Sequence, residues 1–260
     1  MLKKKSRTRK DSTVPSTIYQ KQYIGHARHE GPFMENSYLL YKYLITVLDY
    51  KIVEADVVFT SDSVPVLHHG IESTFFKDGE TLQLNINKYT YAELRNLSLS
   101  KEEYNPITKL ESVLELCNQY NTTILLDLTF QTYTFSHLRK LYRLTCDNNM
   151  RSNTIWGDVN IFKLSLIDRS TICQVGGSWG RKMLIETLFK SFFCKQIIMS
   201  FSYYGGDIMS FRQIVRYGHR LGFIMKAATI NDEETANKFW QIGVDLINTD
   251  SLLNNTHFNQ

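Results

Sequence analysis

No two cysteines of this chain lie close together in sequence. Cys117, Cys146, Cys173 and Cys194 form no CxxC pair, which excludes a zinc knuckle or a compact disulfide framework and leaves reduced, mostly buried thiols as the reading. Long apolar runs are missing too. The greasiest stretch, residues 38–50, is broken by Lys42 and Asp49, and the charged N-terminus has no apolar segment behind it. Neither a membrane span nor a signal peptide is therefore predicted, and a cytoplasmic location is the expectation. Positive charge is scarce outside the first residues: of the formal +4, residues 1–21 supply +6, seven Lys/Arg against Asp11, which leaves −2 for the rest. A near-neutral body does not offer the spread of cations that a phosphate backbone requires, so no nucleic-acid partner is predicted. Residues 1–21 read as a solvated, disordered basic tail and residues 22–260 as one domain.

What is present is an alternation. A chain of 260 residues with 43% hydrophobic content is the size of one α/β barrel. Short β-rich runs are predicted at 23–27, 51–59, 123–129, 160–164, 171–175, 196–201, 222–227 and 245–249. Amphipathic helical segments fall between most of them, at 37–48, 110–120, 135–148, 182–193, 208–221 and 232–242. Eight strands alternating with helices predict a (β/α)8 barrel of the TIM type. The tight place is 158–177, where two strands are claimed with almost no room for a helix.

The chemistry-bearing residues fall at predicted strand ends. Glu54 and Asp56 stand two apart in Ile52-Val53-Glu54-Ala55-Asp56-Val57-Val58, so both face one side of a buried strand. Two carboxylates side by side in a core are costly unless a cation neutralises them. Asp127 adds a third acid at the C-terminal end of another apolar strand, the end where barrel active sites are built. Three hard oxygen donors suit Mg²⁺ or Ca²⁺ better than Zn²⁺. Read singly, each acid fits a solvent-reaching strand end or a turn equally well. His26 closes the first strand and His69 follows Val64-Pro65-Val66-Leu67, whereas nothing places His29 or His68 beside the acids. Imidazole gives and takes protons near neutral pH.

In order along the chain, Gly25-His26, Met34-Glu35-Asn36-Ser37, Glu54-Ala55-Asp56-Val57, Thr60-Ser61-Asp62-Ser63-Val64-Pro65-Val66 and His69 resemble the HRG, PENT, ExDV, TxDGxPV and HD signatures of the glycerophosphodiester phosphodiesterase family, a phospholipase C-like barrel superfamily. Tyr89 to Leu94 is similar to its TxxEL helix start and Ile107 to Leu114 to its PTLEEVL segment. Thr229-Ile230-Asn231-Asp232 and Gly243 to Asp250 are similar to WTVND and GVDGIITD. The match covers 23–129 and 222–251, while 150–210 carries almost no signature. The resemblance implies a metal-dependent phosphodiester hydrolase in which Glu54, Asp56 and Asp127 hold the divalent metal, His26 is general base and His69 general acid. Its small-molecule phosphodiester is attacked by water or by a hydroxyl of its own glycerol.

Four departures stand out. Ala27 replaces the Arg of HRG, Gly70 the Asp of HD, Thr129 the Lys of the third-strand ExK (with Asp127 at its Glu), and Ala228 the Trp of WTVND. Asp at that third metal position is also found in the related sphingomyelinase D-type phospholipases. Arg28 and Lys163 are the candidates to restore the missing positive charge against phosphate. The competing reading is a catalytically impaired barrel kept as a binding or regulatory module. A sugar hydrolase is weaker, because paired acids on one strand grip one ion rather than flank a glycosidic bond.

Overall fold

The computed structural model describes residues 21–28, 30–176 and 181–251. The chain opens with β1 (Gln22–Gly25), α1 (Tyr38–Thr46) and β2 (Ile52–Phe59). An excursion follows, with β3 (Pro65–Leu67), β4 (Glu72–Lys77), β5 (Glu80–Asn85), α2 (Tyr91–Leu94) and β6 (Thr108–Lys109). The alternation then resumes with α3 (Leu110–Gln119), β7 (Thr123–Asp127), α4 (Phe135–Asp147), β8 (Thr154–Gly157), α5 (Ile161–Ser165) and β9 (Ile172–Gly176). It ends with α6 (Arg181–Lys190), β10 (Gln196–Ser202), α7 (Arg212–Arg220), β11 (Ile224–Ala228), α8 (Glu233–Ile242) and β12 (Leu246–Thr249).

Eight parallel strands run in the order β1, β2, β7, β8, β9, β10, β11, β12, and β12 pairs back onto β1. This is the (β/α)8 barrel that the sequence predicts. Its interior is layered by the two-residue period of the strands. Ile24, Ile52, Leu125, Ile155, Ile172, Ile198, Ile224 and Leu246, one from each strand, pack into a single apolar cluster that forms the floor. Two residues further along the same strands stand His26, Glu54, Asp127, Gly157, Gln174, Ser200, Lys226 and Asn248. A greasy ring is thus followed, toward the strand C-termini, by a largely polar one.

Helix ends carry the stops that local chemistry supplies. Ser37 caps α1 by accepting from the Leu40 amide at 3.1 Å, and Thr90 and Glu93 form a capping box on α2. Gly243 ends α8 at φ 98°, a left-handed conformation that strains other residues.

One predicted strand is corrected. Residues 160–164 instead fall in α5 and its cap: Asn160 accepts from the Lys163 amide at 3.0 Å as N-cap, and the helix buries Ile161 and Leu164 at helical spacing. The barrel strand is β8, four residues long and earlier in the chain. Of the excursion between β2 and α3, the resemblance points only to the helix start that becomes α2; its strands are not predicted. There β3 pairs antiparallel with β2 and β6, β4 and β5 form a hairpin, and Val58, Val66, Phe75, Ile86, Leu94, Leu97 and Ile107 make a separate small core. The four cysteines are free. Among the described residues no helix is long and apolar enough to cross a membrane. Residues 1–20 of the predicted tail, and His29, lie outside the described residues.

Candidate active site

Glu54 and Asp56 project from β2 on the same side, and Asp127 stands opposite Asp56 in the β2–β7 register. One carboxylate oxygen from each of the three lies within 4.8 Å of the others. Each acid is held by its own partners. The Asn248 side-chain amide donates to Glu54, with the Lys226 ammonium 3.7 Å away. Lys226 is 2% exposed and donates to Gln174 at 2.9 Å. The Asn36 amide donates to Asp56 at 2.9 Å and is itself oriented by the buried Tyr41 hydroxyl, which donates to its oxygen at 2.9 Å. Asp127 accepts from the Thr129 amide at 2.9 Å and from the Thr129 hydroxyl. Thr129, at the position of the resemblance's missing lysine, is therefore engaged in fixing the third acid.

Burial and like charge set the protonation of this group. Burial, together with the Glu54 charge, pushes Asp56 up to about 7 against the hydrogen bond from Asn36. Burial and Glu54 raise Asp127 in the same sense. For Glu54 burial is outweighed: Lys226, His26 and the Asn248 amide hold its carboxyl below the usual range. Lys226, His26 and Asn248 thus keep one of the three acids ionised while the other two are driven toward the neutral form. Three clustered carboxylate oxygens with that imbalance fit a hard divalent cation.

His26 continues from β1 at the level of Glu54, and its Nδ1 is bound to Asp250, which follows β12. Asn231 completes the support by accepting from the Asp250 amide at 2.9 Å and donating to its carboxylate at 3.3 Å. Burial opposes the charged imidazole, but Glu54 and Asp250 prevail and raise His26 above its ordinary value. With Nδ1 tied to a carboxylate, Nε2 is the nitrogen left for proton transfer.

His69 lies on the loop after β3, its ring 4.3 Å from that of Phe130 in the loop after β7. It lines a cleft of about 400 Å³ together with Met34, Glu35, Asn36 and His68. Asn36 connects this cleft to Asp56. His68 is turned to its own loop, Nδ1 to the Gly70 carbonyl at 2.9 Å, and burial lowers its pKa. Arg28 pairs with Glu35 at 3.3 Å, half-exposed, and its charge helps to lower Asp250. Lys163 is exposed on α5 rather than built into the polar ring.

The sequence reading missed Lys226, Asn248, Asp250 and Asn36 as site residues. The signal existed for two of them: Lys226 and Asn248 are polar residues at the inward period of apolar strands, as Glu54 is. Asn36 and Asp250 sit inside motif stretches, but their partners only become visible in three dimensions.

A closed parallel barrel with clustered acids and a carboxylate-oriented histidine at the C-terminal strand ends defines a barrel enzyme. The chain belongs to the glycerophosphoryl diester phosphodiesterase family, whose model matches residues 27–253, and it is by that membership a phosphoric diester hydrolase. Solved structures of similar fold include one from Silicibacter pomeroyi DSS-3 (TM-score 0.75, 18% identity, covering 93% of this chain and 95% of that one). A phosphodiesterase from Oleispira antarctica in complex with the product sn-glycerol-3-phosphate has TM-score 0.72 and 21% identity, covering 89% of this chain and 94% of that one. A glycerophosphodiester phosphodiesterase from Thermotoga maritima has TM-score 0.69 and 18% identity, covering 90% and 96%. A search of curated protein sequences finds no match.

Proposed function

We propose that this enzyme splits a glycerophosphodiester or a related polyol or lipid phosphodiester into an alcohol and a phosphomonoester, and that it requires a divalent cation, Mg²⁺ or Ca²⁺. The observation that carries the reading is the triad of carboxylate oxygens within 4.8 Å beside a histidine fixed by Asp250. Glu54, Asp56 and Asp127 would hold the ion. When bound, it supplies neutralisation of charge on a phosphate oxygen. His26 Nε2, oriented through Nδ1, removes a proton from the attacking water, or from a glycerol hydroxyl of the substrate to give a cyclic phosphate that water then opens to the phosphomonoester. His69, across the cleft wall, gives a proton to the departing alcohol oxygen. Asn36 ties the two regions by holding Asp56 while lining the cleft. Arg28, at the rim, is the side chain proposed to approach the phosphate from outside.

The test is a phosphodiester panel assayed with and without added Mg²⁺ or Ca²⁺, alongside thermal melts in chelator. We expect metal to raise the melting temperature of the wild type and not of Glu54→Ala or Asp56→Ala. His26→Ala and His69→Ala should each lower turnover by roughly 10² to 10⁴, with His68→Ala much closer to wild type. Absence of any metal shift in the wild type would overturn the metal site. A dead His68→Ala beside an active His69→Ala would reassign the acid.

A further inference from the structure

The outer face made by α5, α6 and the turn that follows α6 carries an apolar surface that the hydrolase reading does not use. Phe162 meets Phe189 and Phe193 with ring centroids 5.8 and 4.6 Å apart, and Phe189 meets Phe193 at 5.6 Å. Around them Leu166 is 78%, Phe192 70%, Ile185 69% and Phe189 58% exposed. Ile185 and Phe189 are one helical turn apart and share a side of α6. Taking about 150–250 Å² for an aromatic side chain, the exposed part is on the order of 500 Å², at the upper end for the largest apolar patch of a monomer.

The same segments concentrate positive charge. Among the described side chains these segments hold Lys163, Arg169, Lys190 and Lys195 against Asp168 and Glu186, with Lys163 and Arg169 exposed, in a body that is slightly negative overall. Of those acids, Asp168 is engaged by Arg151 at 2.9 Å and by the Tyr142 hydroxyl at 2.9 Å. Arg169 lies over the Phe193 ring at 5.8 Å from its centroid, placing a guanidinium on the edge of the apolar face.

This pairing of features selects among occupants. A second copy docked about a two-fold axis would set this cationic rim against itself. A neutral apolar partner would leave the cations unmatched. Apolar side chains rimmed by Lys and Arg match the acyl boundary and phosphates of an anionic bilayer. We infer that this face docks on an anionic lipid surface, with Phe162, Ile185, Phe189 and Phe192 entering the headgroup region and the Lys/Arg rim contacting lipid phosphates. Phe162 comes four residues after Asp158, whereas Arg169 and Phe192 precede the N-terminal ends of β9 and β10, so the docked face runs down the flank of the barrel toward its base. The inference does not depend on which phosphodiester is hydrolysed.

The full chain is tested by co-sedimentation with vesicles of phosphatidylcholine alone and of phosphatidylcholine mixed with phosphatidylglycerol. Binding is expected to the anionic vesicles, weakened by added salt. Phe189→Glu and Ile185→Glu, both at exposed positions, should each reduce it at least about tenfold. Native circular dichroism and unchanged hydrolysis of a water-soluble diester would show that fold and mouth are intact in these variants. Absence of wild-type binding, or equal binding to neutral vesicles, would overturn the inference. So would undiminished binding of both variants, which would assign capture to the basic N-terminal residues, or a dimer in light scattering that Phe189→Glu dissolves. Vesicle binding without any diester hydrolysis would leave the docking face standing and remove the proposed function.

Discussion

Lys226 and Glu54 face each other at 3.7 Å with side chains 2% and 5% exposed, and Lys226 is the foremost of the groups that hold the Glu54 carboxyl down. Replacing Lys226 by Met removes the foremost cation opposite Glu54 and leaves that buried charge with only His26 and the Asn248 amide beside it. We expect a loss of about 3–5 kcal/mol in unfolding free energy, read by denaturant melts, with part of the loss recovered on adding Mg²⁺. A variant as stable as wild type would show that the pair does not govern the interior. At this scale the sequence was legible wherever a residue broke the pattern of its own strand. Glu54 and Asp56 did so conspicuously, being charged in a run of Val and Ile. Lys226 broke the pattern just as clearly but drew no notice, because its neighbours carry no acid and its partner lies on another strand. Thr129 is the reverse case: its substitution for lysine was visible, while its hydrogen bonds to Asp127 were not.

Among elements, the error at residues 160–164 has a local cause. Ile161, Phe162 and Leu164 have the apolar content of a buried strand, and five residues are too few to separate a strand from one turn of helix by periodicity. The Asn160 cap decides it. The true strand, β8, has only four residues, among them Trp156 and the closely packed Gly157, where a Cβ would come 3.1 Å from the Leu126 carbonyl oxygen on β7. The β4–β5 hairpin was readable in principle: Asp78-Gly79 joins Lys77 and Glu80, and both turn residues have positive φ, 50° and 85°, as a two-residue hairpin loop demands. A prediction concerns α7, which is tied to the β11–β12 edge where His219 meets Asp245 at 2.8 Å while Asp245 also accepts from the Met225 amide at 2.7 Å. The hydrogen bond to Asp245 raises His219. A histidine raised in the folded state contributes stability that is complete below about pH 6.5, its unfolded value, and is lost as pH rises through the folded one. His219→Gln should therefore flatten the fall in melting temperature over that interval. The effect should stay below about 1 kcal/mol because both side chains are partly exposed.

For the molecule as a whole, the acid cluster sets how stability responds to pH. Asp56 is pushed up to about 7 from an unfolded value of about 3.9, so the folded state binds the extra proton. Its contribution is favourable at low pH and is lost as pH rises from about 4 to about 7. His26, also raised, works in the same direction from about pH 6.5 upward. Chelated protein is expected to lose melting temperature across the interval, and saturating Mg²⁺ to abolish the loss. Equal slopes with and without metal would disconnect the acids from the ion. The barrel floor has a consequence of a different kind. Eight Ile and Leu side chains close the end opposite the polar ring, so among the described residues the barrel has no rear exit. The phosphomonoester and the alcohol must then depart through the doorway by which the diester arrived. Whichever fragment leaves second blocks the next arrival and should act as a competitive inhibitor in steady-state kinetics, whereas its partner should not.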